Sequence, residues 1–283
     1  MKDYEFLVIG SNGMLGSKIV KILNERKIDH LTVARNNSNF NLNLKKFRNL
    51  KKLFLKNRFK IVINCAAIID INYCEKMFNE AAIINCELVK FLSEMSKKFD
   101  FKFVQISTDH VYKGKKLKLN NEKSEIFAVN KYAKTKILAE KYLKKLKNFL
   151  IIRTNFTGKK KDTFIDWLIK SIKAKKKINL FHDMYTSTLD VSSCAKIILD
   201  LASLKSKGIY NLGSRSMTSK KNFAINVSKN LKKKMRYKSV SCDIQKISRG
   251  KNLGLNVNKI EKKIGYKMPT INQSINNLIK EYQ

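Results

Sequence analysis

Tyr132 and Lys136 stand four residues apart in Tyr132-Ala133-Lys134-Thr135-Lys136. On a helix that spacing puts a phenol and an ammonium on one face. A phenol so placed can exchange a proton with a carbonyl or an alcohol oxygen. Upstream, Ser107-Thr108-Asp109 closes an apolar run, and the Thr108 hydroxyl is suited to hydrogen-bond the reacting oxygen. With 52 lysines in the chain, a Tyr-x-x-x-Lys pair arises readily by chance. Its conjunction with the upstream segments is what gives this pair chemical meaning.

The most telling of those segments is Gly10-Ser11-Asn12-Gly13-Met14-Leu15-Gly16, between an apolar run and a helical pattern. Backbone amides and a helix N-terminus there face a pyrophosphate, and glycine lets the chain come close to it. The spacing is one residue longer than the common dinucleotide fingerprint. The second apolar run ends at Ala34-Arg35-Asn36. A carboxylate at that point would take a ribose 2′-OH, whereas Arg35 offers a cation to a 2′-phosphate. NADP(H) is therefore favoured, with NAD(H) as the alternative, and Asn41-Leu42 is placed to meet the adenine. Asn64-Cys65-Ala66-Ala67 ends the third run with small residues, which fits either close passage of a cofactor or simple strand-end packing. A phosphate loop, a hydroxyl and a Tyr/Lys pair, in that order, imply hydride transfer. The ammonium and a nicotinamide cation would favour the phenolate and draw the Tyr132 pKa down from its usual value of about 10. His30, His110 and His182 lack metal-ligand spacing, so no metal is expected; His110 and Asp109 fall beside the site.

These groups need a scaffold, and the first two-thirds of the chain supplies one. Apolar β-type runs at Phe6–Ile9, His30–Ala34, Ile61–Cys65, Phe101–Ile106 and Phe149–Ile152 alternate with helical stretches at Leu15–Asn24, Leu44–Lys56, Glu75–Lys97 and Ala128–Lys147. That rhythm predicts an α/β fold, a Rossmann-type doubly wound parallel sheet over residues 1–153. Residues 154–283 are expected mainly to form a smaller substrate-binding lobe, with some segments returning to the first domain. Helices are predicted there at Thr163–Ala174, Val191–Leu204, Lys220–Leu231 and Ile271–Lys280, and strands near Ile178–Phe181 and Gly208–Asn211. The Lys/Asn-rich stretch Lys113–Lys123 is the expected mobile loop.

Bulk properties narrow the function classes. The 283 residues, 43% of them apolar, suffice for a real core. No apolar run reaches the roughly 18 residues that span a bilayer, so membrane insertion is not expected. The N-terminus has acidic residues where a secretory segment is basic. The five cysteines form no C-x-x-C pair and read as reduced thiols of a cytoplasmic protein. Net charge is +38, from 60 basic against 22 acidic residues. Nucleic-acid surfaces favour Arg and concentrate charge on one face. Here only eight basic residues are Arg and the lysines are spread throughout, which reads as compositional drift and not as specific nucleic-acid binding. The field would still steer anionic ligands inward.

Taken together the motifs resemble the extended short-chain dehydrogenase/reductases, and most closely their dTDP-4-dehydrorhamnose reductase branch. The likeness covers nearly the whole chain. It rests on Gly10–Gly16, Asn64-Cys65-Ala66-Ala67, Ser107-Thr108-Asp109-His110-Val111-Tyr112, the Tyr132–Glu140 stretch and Arg153-Thr154-Asn155. Weaker marks are Tyr210-Asn211-Leu212-Gly213 and Lys251-Asn252-Leu253-Gly254-Leu255. The resemblance implies a catalytic triad of Thr108, Tyr132 and Lys136. It implies cofactor contacts from Gly10, Gly13, Met14, Leu15, Gly16, Arg35, Asn41, Leu42, Ala66 and Ala67, joined by Tyr132 and Lys136. Thr108, Asp109, Asn155, Phe156 and Arg249 would meet a nucleotide-sugar. The implied activity is reduction of a 4-keto nucleotide-sugar, and a homodimer is the assembly considered. The rivals are a nucleotide-sugar 4-epimerase and a non-catalytic dinucleotide-binding subunit. The chain departs from the family where Asn41 replaces a frequent Asp, where Gly250 replaces a Pro, and where a Pro is missing near Thr188. Asp109-His110 also lacks the Glu that related dehydratases carry, so dehydration is not implied.

Overall fold

The computed structural model describes residues 1–114 and 117–282. The strands β1 (Lys2–Ile9), β2 (His30–Ala34), β3 (Phe40–Asn41), β4 (Asn57–Asn64), β5 (Lys102–Thr108) and β6 (Phe149–Thr154) join Gly208–Leu212 in one seven-stranded sheet. Across it the order is Gly208–Leu212, β6, β5, β4, β1, β2, β3, and every pairing is parallel. The chain builds outward from β1 in one direction and then, from β4, in the other. The reversal lies between β1 and β4, where an open parallel sheet leaves a crevice at its carboxyl edge.

Alternation along the strands divides the core. Phe6, Val8, Ile63, Val104 and Ile152 face the layer made by α1 (Met14–Glu25) together with a later helix, Val191–Ser203. Leu7, Ile9, Val62, Phe103 and Ile151 face the opposite layer. That layer comprises α2 (Leu50–Lys56), the short helices α3 (Ile71–Lys76) and α4 (Phe78–Ala82), α5 (Leu88–Phe99) and α6 (Lys131–Leu143). Period-2 apolar strands buried on both faces are what a parallel sheet requires.

After β6 come α7 (Phe164–Lys173), α8 (Val191–Ser203), α9 (Lys220–Asn230), α10 (Asn258–Ile264) and α11 (Ile271–Lys280). Of these, α7, α9 and α11 share a separate apolar cluster with Ile178 and Leu180. By contrast α8 packs on the large sheet, and Gly208–Leu212 forms its edge. The sequence pattern anticipates most of these elements but not α10, nor the two-residue strands that knit the second cluster, such as Tyr185–Thr186 between Thr218–Ser219 and Asn252–Leu253. The helix predicted over 75–97 is broken. A π turn at Ile83–Glu87 lets the Asn85 side chain donate to Ile68 O (2.9 Å) and Thr135 Oγ1 (3.1 Å) and accept from Ile68 N (2.8 Å). The stretch Lys113–Lys123, expected as a mobile loop, is tied to residues 252–256 at Lys118 and Asn120. Lys115 and Lys116 lie outside the described residues. Asn120 donates to Gly254 O from its backbone (2.8 Å) and from its side chain (2.8 Å), and Asn252 donates to Lys118 O (2.8 Å).

One buried ion pair ties the carboxyl edge together. The Arg153 guanidinium on β6 grips Glu140 of α6 through two bonds, of 3.0 and 2.6 Å. Both side chains are about 1% exposed. The same carboxylate accepts from Ser107 Oγ on β5 (2.7 Å), and Arg153 also donates to the Tyr112 hydroxyl (3.0 Å). Removing one partner of such a pair leaves an uncompensated buried charge, worth about 3–5 kcal/mol. Arg153→Met should therefore lower unfolding stability by that amount in urea titrations, and pairing it with Glu140→Leu should recover much of the loss. A single-variant loss under about 1 kcal/mol would show that the pair is not held as described.

Candidate active site

The glycine loop sits at the crevice. Gly10 follows β1 with φ +79°, and a β-carbon on it would stand 2.8 Å from Ala66 N, so the loop lies directly against the end of β4. A β-carbon on Gly16 would come within 2.3 Å of Gly10 O. Backbone packing thus demands both glycines. The loop opens α1 with Gly13 at its N-cap, with no side-chain cap and no acidic residue in the first turn. The first-turn amides have no intrahelical acceptor and carry the positive end of the helix dipole. This geometry fits a pyrophosphate. Arg35, just past β2, is exposed and has no ion-pair partner among the described residues. Asn12 reaches across to Asn36 O. Of the other expected cofactor contacts, Met14, Ala67 and Gly13 are half-buried, Leu15, Leu42 and Ala66 are buried, and Asn41 is exposed.

Facing this loop, α6 presents Tyr132 and Lys136. Asn130 caps the helix by accepting from Ala133 N (2.8 Å), which fixes where its first turn begins. The Tyr132 ring is buried against Ile71, Cys74 and Ala81, with Ile68 and Ile247 at its margin. Its hydroxyl is electrostatically influenced by Thr108 and Asp109. The Lys136 ammonium, 2% exposed, donates to Ile106 O at 2.7 Å.

The electrostatics correct one expectation. The Tyr132 hydroxyl is held well above its usual range, first by burial and further by the Asp109 carboxylate, with Thr108 opposing. Lys136 is not what governs it. That ammonium is anchored on β5, and burial pushes its own pKa down to about 8, against the opposing pull of Glu140. In the chain alone desolvation outweighs the neighbouring cation, so Tyr132 is a neutral phenol, the form that can give a proton.

Behind the triad lies a polar chain. Asp109, buried, accepts from Thr108 Oγ1 (3.2 Å) and from Asn155 Nδ2 (2.9 Å). Asn155 accepts from Thr188 Oγ1 (2.9 Å), which in turn meets Thr186 Oγ1 (3.0 Å). Asp109 and Asn155 therefore hold each other and Thr108. Each oxygen of Asp109 thus holds one neighbouring side chain in place. Phe156 is half-buried on a short strand pairing with Leu189. The His110 ring meets Tyr132 edge-on, 5.9 Å between centroids. Arg249 is half-buried. His30 bonds Ile28 O far from the site, and His182 is exposed. No group of three or more His, Cys, Asp or Glu side chains among the described residues is suited to a metal. All five cysteines are free thiols.

The structure thus brings together the glycine loop, Ala66, Thr108, Tyr132, Lys136, Asp109 and Asn155. It adds one residue that the sequence did not single out. Lys220, the first residue of α9, is electrostatically coupled to Asp109. One lysine among 52 carries no signal of its own.

Comparison with known proteins bears on the whole chain. The model of the family described as RmlD substrate binding domain matches residues 4–283. The spore coat polysaccharide biosynthesis protein SpsK of Bacillus subtilis (strain 168) is 26% identical over 220 residues, 77% of this chain and 76% of that protein. The probable low-salt glycan biosynthesis reductase Agl14 of Haloferax volcanii is 23% identical over 286 residues, 95% of each chain. The crystal structure of dTDP-4-dehydrorhamnose reductase from Bacillus anthracis in complex with NADP is similar with a TM-score of 0.90 at 23% identity, over 99% of this chain and 100% of that one. That likeness shows a shared fold.

The glycine loop generates a sharp expectation. Gly16→Ala places a methyl group on Gly10 O, an overpacking worth about 1–3 kcal/mol. A thermal unfolding scan should show the loss, and dinucleotide titration should show affinity falling at least tenfold. Unchanged unfolding and unchanged affinity would mean that the loop is not packed as described.

Proposed function

The chain belongs to the RmlD substrate binding domain family, and we propose that it is an NADPH-dependent reductase of a 4-keto nucleotide-sugar. The observation that carries this reading is the meeting of Thr108, a protonated Tyr132 and Lys136 opposite an uncapped glycine-rich helix N-terminus. The NADP in the Bacillus anthracis structure and the reductase named in Haloferax volcanii support it. A cytoplasmic setting accords with five free thiols, four of them buried.

In this reading Gly10, Gly13, Met14, Leu15 and Gly16 hold the pyrophosphate, Arg35 takes the 2′-phosphate, and Asn41, Leu42, Ala66 and Ala67 line the rest of the dinucleotide. When bound, NADPH supplies the hydride that reduces the keto carbon. Tyr132 gives its hydroxyl proton to the keto oxygen, so that the carbonyl becomes an alcohol. Thr108 turns its hydroxyl hydrogen from Asp109 to the same oxygen and so orients it. The Lys136 ammonium, fixed on Ile106 O, is the group that would hold the nicotinamide ribose. Asn155, Phe156 and Arg249 meet the nucleotide-sugar. Ile68, Ile71 and Ile247 pack about Tyr132 and hold its ring in place.

Single-turnover oxidation of NADPH by a 4-keto nucleotide-sugar tests the reading. One cofactor should be consumed per sugar reduced, whereas an epimerase would return it. Tyr132→Phe should lower the rate about 10²- to 10⁴-fold, the typical worth of a positioned proton donor, with cofactor affinity nearly intact. More than about a tenth of the wild-type rate remaining in the variant would remove Tyr132 from the role.

Arg35→Asp should turn the preference from NADPH toward NADH, because the carboxylate repels a 2′-phosphate and accepts from a 2′-OH. Fluorescence titration with both cofactors reads the affinity ratio. A ratio equal to wild type would make Arg35 one more surface cation.

A further inference from the structure

The chain between Val240 and Lys251 runs past Tyr132 as a strap held at both ends. Asp183 anchors its start by accepting from Ser241 Oγ (2.6 Å) and from the Cys242 amide (2.8 Å). Lys251 closes its end on Asp183 (3.3 Å) and Asp243 (2.6 Å). In the middle, Asn130 donates from Nδ2 to Ser248 O (3.2 Å). Asn130 is the cap of α6, two residues before Tyr132. The Ile247 side chain joins Ile71, Cys74 and Ala81 around the Tyr132 ring. The strap is thus fixed to the turn of helix that carries Tyr132.

Exposure alternates along this segment. Ile244, Lys246 and Ser248 are exposed, whereas Gln245, Ile247 and Arg249 are half-buried. Gln245 has an extended backbone, with φ −78° and ψ 135°. Alternate side chains of extended chain point to the same side. Gln245 and Arg249 therefore turn inward with Ile247, whose contacts mark that side as the Tyr132 side. Both bring an unsatisfied polar atom. Among the described residues five buried side-chain polar atoms have no hydrogen-bond partner, and three belong to this neighbourhood: Gln245 Oε1, Arg249 Nε and His110 Nδ1. His110 lies edge-on to Tyr132, 5.9 Å between centroids, and its amide donates to Thr108 Oγ1 at 3.2 Å. Asp70 opposes the charge of Arg249, so the neutral Gln245 is the clearer guide to what binds here.

A buried acceptor without a donor bears its full desolvation cost, and one that a native site retains calls for a partner. The amide oxygen of Gln245 can only accept. A phosphate or a carboxylate has no proton to offer it at neutral pH, whereas a hydroxyl does. We infer that Gln245 accepts a hydrogen bond from a hydroxyl group of the sugar ring held against Tyr132, which makes it a specificity-determining residue for the sugar. The inference rests on the nucleotide-sugar reading above. Ile247 and Ser248 set the place of Gln245 by their contacts with Tyr132 and Asn130. The acceptor and the proton donor are thereby referenced to the same helix turn.

The test is calorimetric titration of wild type and Gln245→Met with a nucleoside diphosphate and with its glucose conjugate, each in the dTDP and the UDP form. Wild type that binds neither conjugate would defeat the nucleotide-sugar reading, and the inference with it. Where wild type binds, the variant should raise the ratio of conjugate Kd to diphosphate Kd by about threefold or more, as expected for one lost hydrogen bond. A smaller change in that ratio overturns the inference. An equal rise in both constants would assign Gln245 to the nucleotide or to the shape of the strap, and no rise in either would leave its oxygen to water. Thermal unfolding checks that the variant is folded, and Gln245→Leu replaces Gln245→Met if it is not.

Discussion

The carboxylate of Glu140 is the joint on which the site depends. It lies on α6, two turns beyond Tyr132 and one beyond Lys136, and it binds β5 through Ser107 and β6 through Arg153. Those contacts fall one residue before Thr108 and two before Asn155. The register Ser107 with Arg153 and Thr108 with Thr154 brings these positions side by side. Tyr132, Thr108 and the Asn155 brace behind Asp109 are therefore referenced to one buried group. Arg153 extends the joint outward through Tyr112, whose hydroxyl donates to Asn211 Oδ1 at 2.6 Å. The edge strand Gly208–Leu212 is thereby drawn into the same network. A buried ion pair is weak evidence of net stability. Its value here is geometric, because each bond fixes the direction of an element that carries chemistry.

That geometry also explains the unequal fates of Tyr132 and Lys136. The two share a helix face, yet the lysine is turned to β5 and its charge is directed at Ile106 O. The phenol is left in an apolar pocket near a carboxylate, where its anion is disfavoured. The result is a stored proton and a cation fixed nearby. A tyrosine destined to lose a proton to a base would need the opposite balance.

The sheet was legible because it follows from local rules. Alternating apolar strands, a glycine run after the first of them and helical periodicity between them define a doubly wound sheet without knowledge of distant contacts. His30–Ala34, Ile178–Phe181 and Ile271–Lys280 were readable to the residue. What escaped depends on long-range pairing. Strands of two residues such as Thr218–Ser219 carry no period, and they exist because Tyr185–Thr186 lies opposite. The π turn at 83–87 is set by Asn85 meeting Ile68 and Thr135, fifty residues apart in the second case. The Lys113–Lys123 stretch has the composition of a free loop, but Asn120 within it is bonded through its backbone to Gly254 and Asn256. In the site, the residue types and spacing of Thr108, Tyr132 and Lys136 were legible. The tyrosine's electrostatic state was not, because its direction depends on which neighbours desolvate it.

The scarcity of carboxylates gives the whole chain a common logic. With 60 basic and 22 acidic residues, most cations must be solvated, and their surface pairs are worth at most about 1 kcal/mol each. The partly buried carboxylates instead each collect several donors at a junction. Glu281 takes Lys18, Ser192 and the Lys159 amide, joining α11 to α1 and α8. Asp200 takes Arg26, Lys196 and Tyr266. Asp183 takes Ser241, the Cys242 amide and Lys251. Glu261 takes Lys267, Arg215 and the Met268 amide. Asp109 follows the same rule with Thr108 and Asn155, but its donors are neutral. The carboxylates thus close the structure at its junctions, and the chain's diffuse positive field steers anionic ligands inward.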